Sequence, residues 1–210
     1  MQSIKRNEFH EMLVLTHDYN INPVTREIYL GGWPRSYDDE EVGVDHQMAT
    51  ELIRNMTFLN GQSSDPIMIH QCTVGGEWEY GMAIYNAISS SPCHVVMIGY
   101  AHARSMSSIM IQAADHRVLM PDCMFMVHHG TITCIDTYTG AQSYMEQAKG
   151  DARRMMEVYI DRGCKMTEKQ ILDKLDKKQE WYMSAEEAVE LGFADEVFDG
   201  DWARLRAMGR

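Results

Sequence analysis

Short runs rich in valine and isoleucine alternate with segments of helical period through the middle of this chain, and glycine or small polar residues punctuate the junctions. Pro66 to His70 reads as a strand, Val74-Gly75-Gly76 as a turn, and the next segment as a helix whose apolar face holds Trp78, Met82, Tyr85 and Ile88. Cys93 to Gly99 is a second apolar run, followed by the small-residue segment Tyr100 to Arg104 and a helical pattern over Ser105 to Ala114. Strands alternating with helices at this spacing imply a mostly parallel sheet with right-handed crossovers and helices packed on it. The expected class is α/β. In such sheets sites form at the carboxyl ends of strands, where turns enter helices, and both Gly75-Gly76 and Ser105 occupy such turns.

The flanking segments extend the pattern. Arg26 to Gly32 reads as a strand, Pro34 to Glu41 as an acidic loop, and Val44, Met48, Leu52, Met56 and Leu59 fall at helical spacing. Val118 to Met120 and Cys123 to Val127 are short strands split by Pro121-Asp122; Thr131 to Tyr138, bracketed by Gly130 and Gly140, is extended; Ala141 to Arg162 is a long helix. Thr167 with Gln170 makes a capping box for a helix ending near Gln179, and Ser184 with Glu187 makes another, with Gly192 as the C-cap. One domain over 26–200 is expected, preceded by a polar arm or loop over 1–25 and followed by a short basic tail over 201–210.

Charge and cysteine usage narrow the function classes. With 31 acidic and 19 basic side chains the net charge is −12, which argues against a nucleic-acid partner. The five cysteines form no C-x-x-C pair, no apolar run reaches the ~18 residues of a membrane span, and a cytoplasmic setting is expected. The histidines show no H-x-x-x-H or H-E-x-x-H spacing, and neither G-x-G-x-x-G nor a P-loop occurs, so neither a metal nor a cofactor is expected.

The chemistry concentrates in Ser105 and His128. A serine hydroxyl at a strand-to-helix turn is exposed beside unpaired backbone N–H groups, and a positioned imidazole could take its proton. Taken alone, Ser105 reads more readily as a helix N-cap, with Ser107 and Ser108 as competing hydroxyls, and His128 as a structural histidine ending a strand; His129 should point to the opposite face. Asp173, Asp176 and Glu180 are candidates to orient the imidazole, and spacing does not choose among them. Gly75-Gly76 frees consecutive N–H groups suited to an oxyanion.

From about Arg26 to Phe198 the chain resembles the peptidase subunits of the Clp protease family, serine peptidases on the crotonase-like fold. Gly75-Gly76-Glu77-Trp78-Glu79-Tyr80-Gly81-Met82-Ala83-Ile84-Tyr85 is similar to the family's Gly-Gly-x-x-x-x-Gly-Met-x-Ile-Tyr helix entry, Ser105-Met106 to its Ser-Met, and Met126-Val127-His128 to its Met-Ile-His. Met183-Ser184-Ala185-Glu186-Glu187-Ala188 and Gly192-Phe193-Ala194-Asp195 resemble its closing motifs.

The resemblance implies Ser105 as nucleophile, His128 as base, and Glu180 in the place of the family's usual aspartate. It implies the N–H groups of Gly76 and Met106 as the oxyanion hole, and a protruding handle built from the Thr131 to Tyr138 region. It further implies a heptameric ring or stacked rings, an N-terminal arm lining an axial pore, polypeptide substrates and an AAA+ unfoldase partner. Two departures stand out. The family's Ser-Pro-Gly-Gly is Thr73-Val74-Gly75-Gly76 here, and its Gly-x-Ala-Ala-Ser is Gly99-Tyr100-Ala101-His102-Ala103-Arg104-Ser105, two residues longer, with Arg104 against the serine. They motivate an alternative, a catalytically weak ring subunit with an assembly or regulatory role. An acyl-CoA enzyme of the same fold is a further alternative, which the Ser-Met and Met-Val-His matches oppose.

Overall fold

The computed structural model describes residues 6–31 and 43–209; the acidic loop expected over 34–41 lies outside them. In chain order the elements are α1 (Arg6–Asp18), β1 (Ile21–Asn22), β2 (Glu27–Leu30), α2 (His46–Asn60), β3 (Ile67–Thr73), α3 (Trp78–Ser89), β4 (Val95–Arg104), α4 (Met106–Met110) with a 3-10 turn (Ile111–Ala113), β5 (His116–Leu119), β6 (Met124–His128), α5 (Tyr138–Asp161), α6 (Glu168–Leu175), β7 (Glu180–Met183), α7 (Ala185–Glu190), β8 (Glu196–Val197) and α8 (Trp202–Ala207). The eight-stranded sheet runs β1-β2-β3-β4-β5-β8, parallel throughout except for the antiparallel β1, while β6 pairs with β4 and carries β7 antiparallel.

Parallel strands covered on both faces need apolar residues on both, and β3 and β4 supply them in alternation. Ile67, Ile69, Val95 and Met97 enter the large core with α2, α3 and α4; Met68, Val96 and Ile98 form a smaller core on the other face with Leu205 of α8. On α2 the residues Met48, Leu52, Met56 and Leu59 are buried, and Asp45 caps the helix by accepting the Met48 N–H at 2.8 Å. Both capping boxes form as expected, Thr167 with Gln170 and Ser184 with Glu187. No helix among the described residues is long and apolar enough to cross a membrane.

Several local expectations are corrected. The Tyr100 to Arg104 segment is no separate stretch but the continuation of β4, which leaves β5 after Gly99, stays paired with β3 at Ala103, and pairs with β6 through His102, Ala103 and Arg104. The face that α3 buries holds Gly81, Ile84 and Ile88, while Trp78, Met82 and Tyr85 are only half-buried. Glycine is invisible to a hydrophobicity pattern, yet Gly81 is where Met106 lies: a Cβ there would sit 2.1 Å from the Met106 Cγ. The 131–137 segment pairs with no strand and is exposed, and Gly140 falls in the first turn of α5, donating to the Thr137 cap at 3.2 Å. Only the C-terminal part of α5 is buried, through Met155, Met156, Val158 and Tyr159.

The termini also differ from a simple arm and tail. Residues 6–18 form α1, and no described side chain in it is buried, which is why the sequence shows no period there. Ile21 of β1 is buried and joins the sheet edge. The tail forms α8, which places Leu205 in the small core.

Candidate active site

Ser105 follows directly on β4 and adopts φ 53 and ψ −129, a conformation that non-glycine residues seldom hold and that costs about 1–3 kcal/mol. Its N–H donates to the Met126 carbonyl of β6 at 3.1 Å, which keeps the residue against the sheet. It stands at the N-cap position of α4 but makes no capping bond; its Oγ lies 2.7 Å from His128 Nε2. Ser107 and Ser108 are fully buried and committed, donating to the carbonyls of Thr73 and Ser105, each at 2.6 Å. Among these serines only Ser105 lines the cleft.

His128 ends β6 directly opposite Glu180 of β7, so the two side chains lie on one face of the antiparallel pair. Burial holds the imidazole below the ordinary histidine value; the Glu180 charge opposes that effect and His129 adds to it. The ring is therefore neutral near pH 7 and free to accept a proton. Asp173 and Asp176 sit on and just after α6, and neither is among the charges acting on His128. Glu180 is exposed, and its carboxylate accepts the Tyr182 hydroxyl at 2.7 Å. His129, expected on the opposite face, lines the same cleft, because the strand ends at His128 and alternation ends with it.

The glycine turn faces this pair. A Cβ on Gly75 would meet the Arg104 carbonyl at 2.7 Å and the Met106 N at 2.8 Å, and one on Gly76 would meet Val44 backbone at 2.4 Å, so only glycine permits the approach. In place of the proline that the similar motif carries, the turn is held by hydrogen bonds. The Gly75 carbonyl accepts the Val44 N–H at 2.7 Å, and the Thr73 carbonyl takes the Ser107 hydroxyl. The N–H groups of Gly76 and Met106 donate to no described residue and both line the cleft beside Ser105. Such a pair of free donors suits the oxyanion of a tetrahedral intermediate.

The two additional residues before Ser105 are absorbed within the sheet. Between the pairs Gln71↔Gly99 and Thr73↔Ala103, β3 advances from 71 to 73 while β4 advances from 99 to 103, a bulge that leaves the end of β4 in register with β6. Arg104 does not line the cleft: its guanidinium lies 3.0 Å from His102 Nε2. The cleft holds about 550 Å3, with Tyr144, Gln147, Asp151 and Met155 of α5 forming the wall opposite the turn. Sequence reasoning missed this wall, the Val44 contact and Tyr182. In the sequence Val44 stands out only as part of an apolar period, and a helix face about 40 residues downstream carries no mark of the site it closes.

The Clp protease family matches residues 40–201. The chain is 29% identical over 159 residues to the ATP-dependent Clp protease proteolytic subunit 2 of Pseudomonas aeruginosa, covering 74% of this chain and 77% of that one. It is 30% identical over 159 residues to the proteolytic subunit 3 of Parasynechococcus marenigrum, covering 73% and 78%. A ClpP1 mutant from Listeria monocytogenes superposes with a TM-score of 0.70 at 19% identity, covering 89% of this chain and 97% of that one, which is a likeness of fold.

Proposed function

Because the chain belongs to the Clp protease family, we propose that it hydrolyses peptide bonds of unfolded polypeptides through an acyl-enzyme on Ser105. His128 Nε2 takes the Oγ proton as the oxygen attacks the scissile carbonyl, and the N–H groups of Gly76 and Met106 receive the oxyanion. The imidazolium then protonates the leaving amine, and water repeats the sequence against the ester. Glu180 stabilises the charged ring from the adjacent strand. The observation that carries this reading is the 2.7 Å contact between Ser105 Oγ and His128 Nε2, beside two backbone N–H groups that donate to no described residue.

The relatives are named as proteolytic subunits of an ATP-dependent protease. That supports a homo-oligomeric ring fed by an AAA+ unfoldase as the working form here. The expected test result is that the wild-type chain takes one fluorophosphonate adduct and cleaves small peptide esters, and that Ser105→Ala does neither. An unlabelled wild type would favour the ring subunit with an assembly role, although Arg104, which motivated that alternative, points away from the cleft.

A further inference from the structure

Behind the nucleophile lies a buried relay that the acylation step does not itself use. Ser108 Oγ lies 2.6 Å from the Ser105 carbonyl and 2.7 Å from the Tyr159 hydroxyl of α5. Ser108 and Tyr159 are 0% and 1% exposed, so water does not compete for these bonds. The carbonyl can only accept, and it takes the one proton of Ser108; the Tyr159 O–H must therefore be the donor to Ser108 Oγ. Burial holds the phenol well above its ordinary pKa, so that proton stays in place.

The Ser105 carbonyl shares a rigid peptide plane with the Met106 N–H, and in a trans peptide the two point in opposite directions. Gripping the oxygen from behind thus aims the N–H forward into the cleft. The partner donor is aimed in the same manner: the Gly75 carbonyl is gripped by the Val44 N–H at 2.7 Å, and the Gly76 N–H lies across that plane. The Ser105 plane needs the firmer grip, since its φ of 53 is strained and the backbone would otherwise relax away from it. Its carbonyl accepts the Ser108 N–H at 3.0 Å as well as the hydroxyl.

We infer that Tyr159 and Ser108 are positioning residues for catalysis, aiming the Met106 N–H at the oxyanion through the Ser105 carbonyl. This inference rests on the peptidase reading above. It also makes α5, whose N-terminal part stands exposed, the element on which the alignment of the oxyanion hole depends.

Tyr159→Phe keeps the ring, which packs edge-on against Phe193 at 5.2 Å, and removes only the hydroxyl. With a peptide ester and a fluorophosphonate on the assembled protein, it should lower kcat and the labelling rate about tenfold, less than the 10²–10³ of deleting a donor outright. KM and the acid limb set by His128 should stay at wild-type values, because neither substrate binding nor the imidazole is touched. Ser108→Ala should have the same profile, and the double variant should be no slower than the slower single one, since both cut one relay. Wild-type kcat in both single variants would overturn the inference while leaving the peptidase reading intact, as would losses that simply multiply in the double variant or that track a fall in Tm. A wild type that takes no adduct would instead sink the peptidase reading and the positioning role together.

Discussion

His70 and His128 stand on strands of the same sheet, and each faces a carboxylate on a neighbouring strand, but their surroundings differ. His70 Nε2 lies 3.6 Å from Glu27, its Nδ1 bonds the Tyr100 hydroxyl at 2.9 Å, and its ring stacks on Tyr29 at 4.9 Å. Glu27 is buried and also receives Arg206 at 2.9 Å and the Tyr29 hydroxyl at 3.0 Å. Burial alone would raise its pKa, but the nearby His70 ring and the bonds from Arg206 and Tyr29 prevail and bring it down to about 2. His128 instead meets a hydroxyl that opens on a cleft, and its carboxylate is exposed. An imidazole beside a carboxylate is thus no mark of catalysis. What separates the two is whether the chain has already satisfied the groups around the ring.

Exchanging each histidine for alanine should separate the two roles. His128→Ala should lower kcat by at least about 10³-fold, as removal of a general base does, and leave Tm within about 2 °C, because the half-buried ring supports little else. His70→Ala should do the reverse. It leaves a buried carboxylate short of a partner, at about 1–3 kcal/mol, while fluorophosphonate labelling of the folded protein proceeds at the wild-type rate. Equal loss of activity in both variants would erase the distinction.

The carboxylates differ in their pH dependence too. The pKa of Glu27 is depressed in the fold from 4.5 to about 2, so its stabilisation is complete above the unfolded value and is lost as pH falls from there toward about 2. Acid unfolding of Glu27→Gln should lack that increment; an unchanged acid profile would mean that the pair contributes nothing. Glu180 should act on rate instead. Its charge raises the His128 pKa against burial, so Glu180→Gln should move the acid limb of kcat/KM to lower pH and reduce kcat about tenfold through loss of imidazolium stabilisation. An acid limb moving upward would contradict the assignment.

The sheet and its helices were legible in the sequence because parallel strands are apolar on both faces and α2 keeps a clean period. The serine, the histidine and the glycine turn were legible as motifs, and the strand register then puts Glu180, of the three carboxylates, opposite His128. The rest was hidden for definite reasons. Gly81 contributes space, which hydropathy does not register, and α1 buries nothing among its described side chains. The bulge in β4 preserves the pairing that a longer segment seemed to disturb. Ser108 looked like a competing hydroxyl, and its partner Tyr159 lies 51 residues away on another element.

The smallest effect expected from the contrast concerns charge. Glu27 is neutralised within the chain by Arg206, whereas Glu77, Glu79 and Asp151 line the candidate cleft with no ion pair to any described residue, and no lysine or arginine among the described residues lines it. Burial and the nearby Glu79 charge raise the pKa of Asp151, with the Trp78 indole opposing them. The aromatic faces of Trp78 and Tyr144 lie in the same cleft and suit the stem and head of a basic side chain. A peptide ester carrying lysine or arginine near the scissile bond should therefore be cleaved with kcat/KM about three- to tenfold above its glutamate counterpart. Asp151→Asn should narrow the gap, and 0.5 M salt should narrow it further by screening. A preference for the acidic peptide, or one indifferent to both salt and Asp151, would show that the cleft's charge does not reach the substrate.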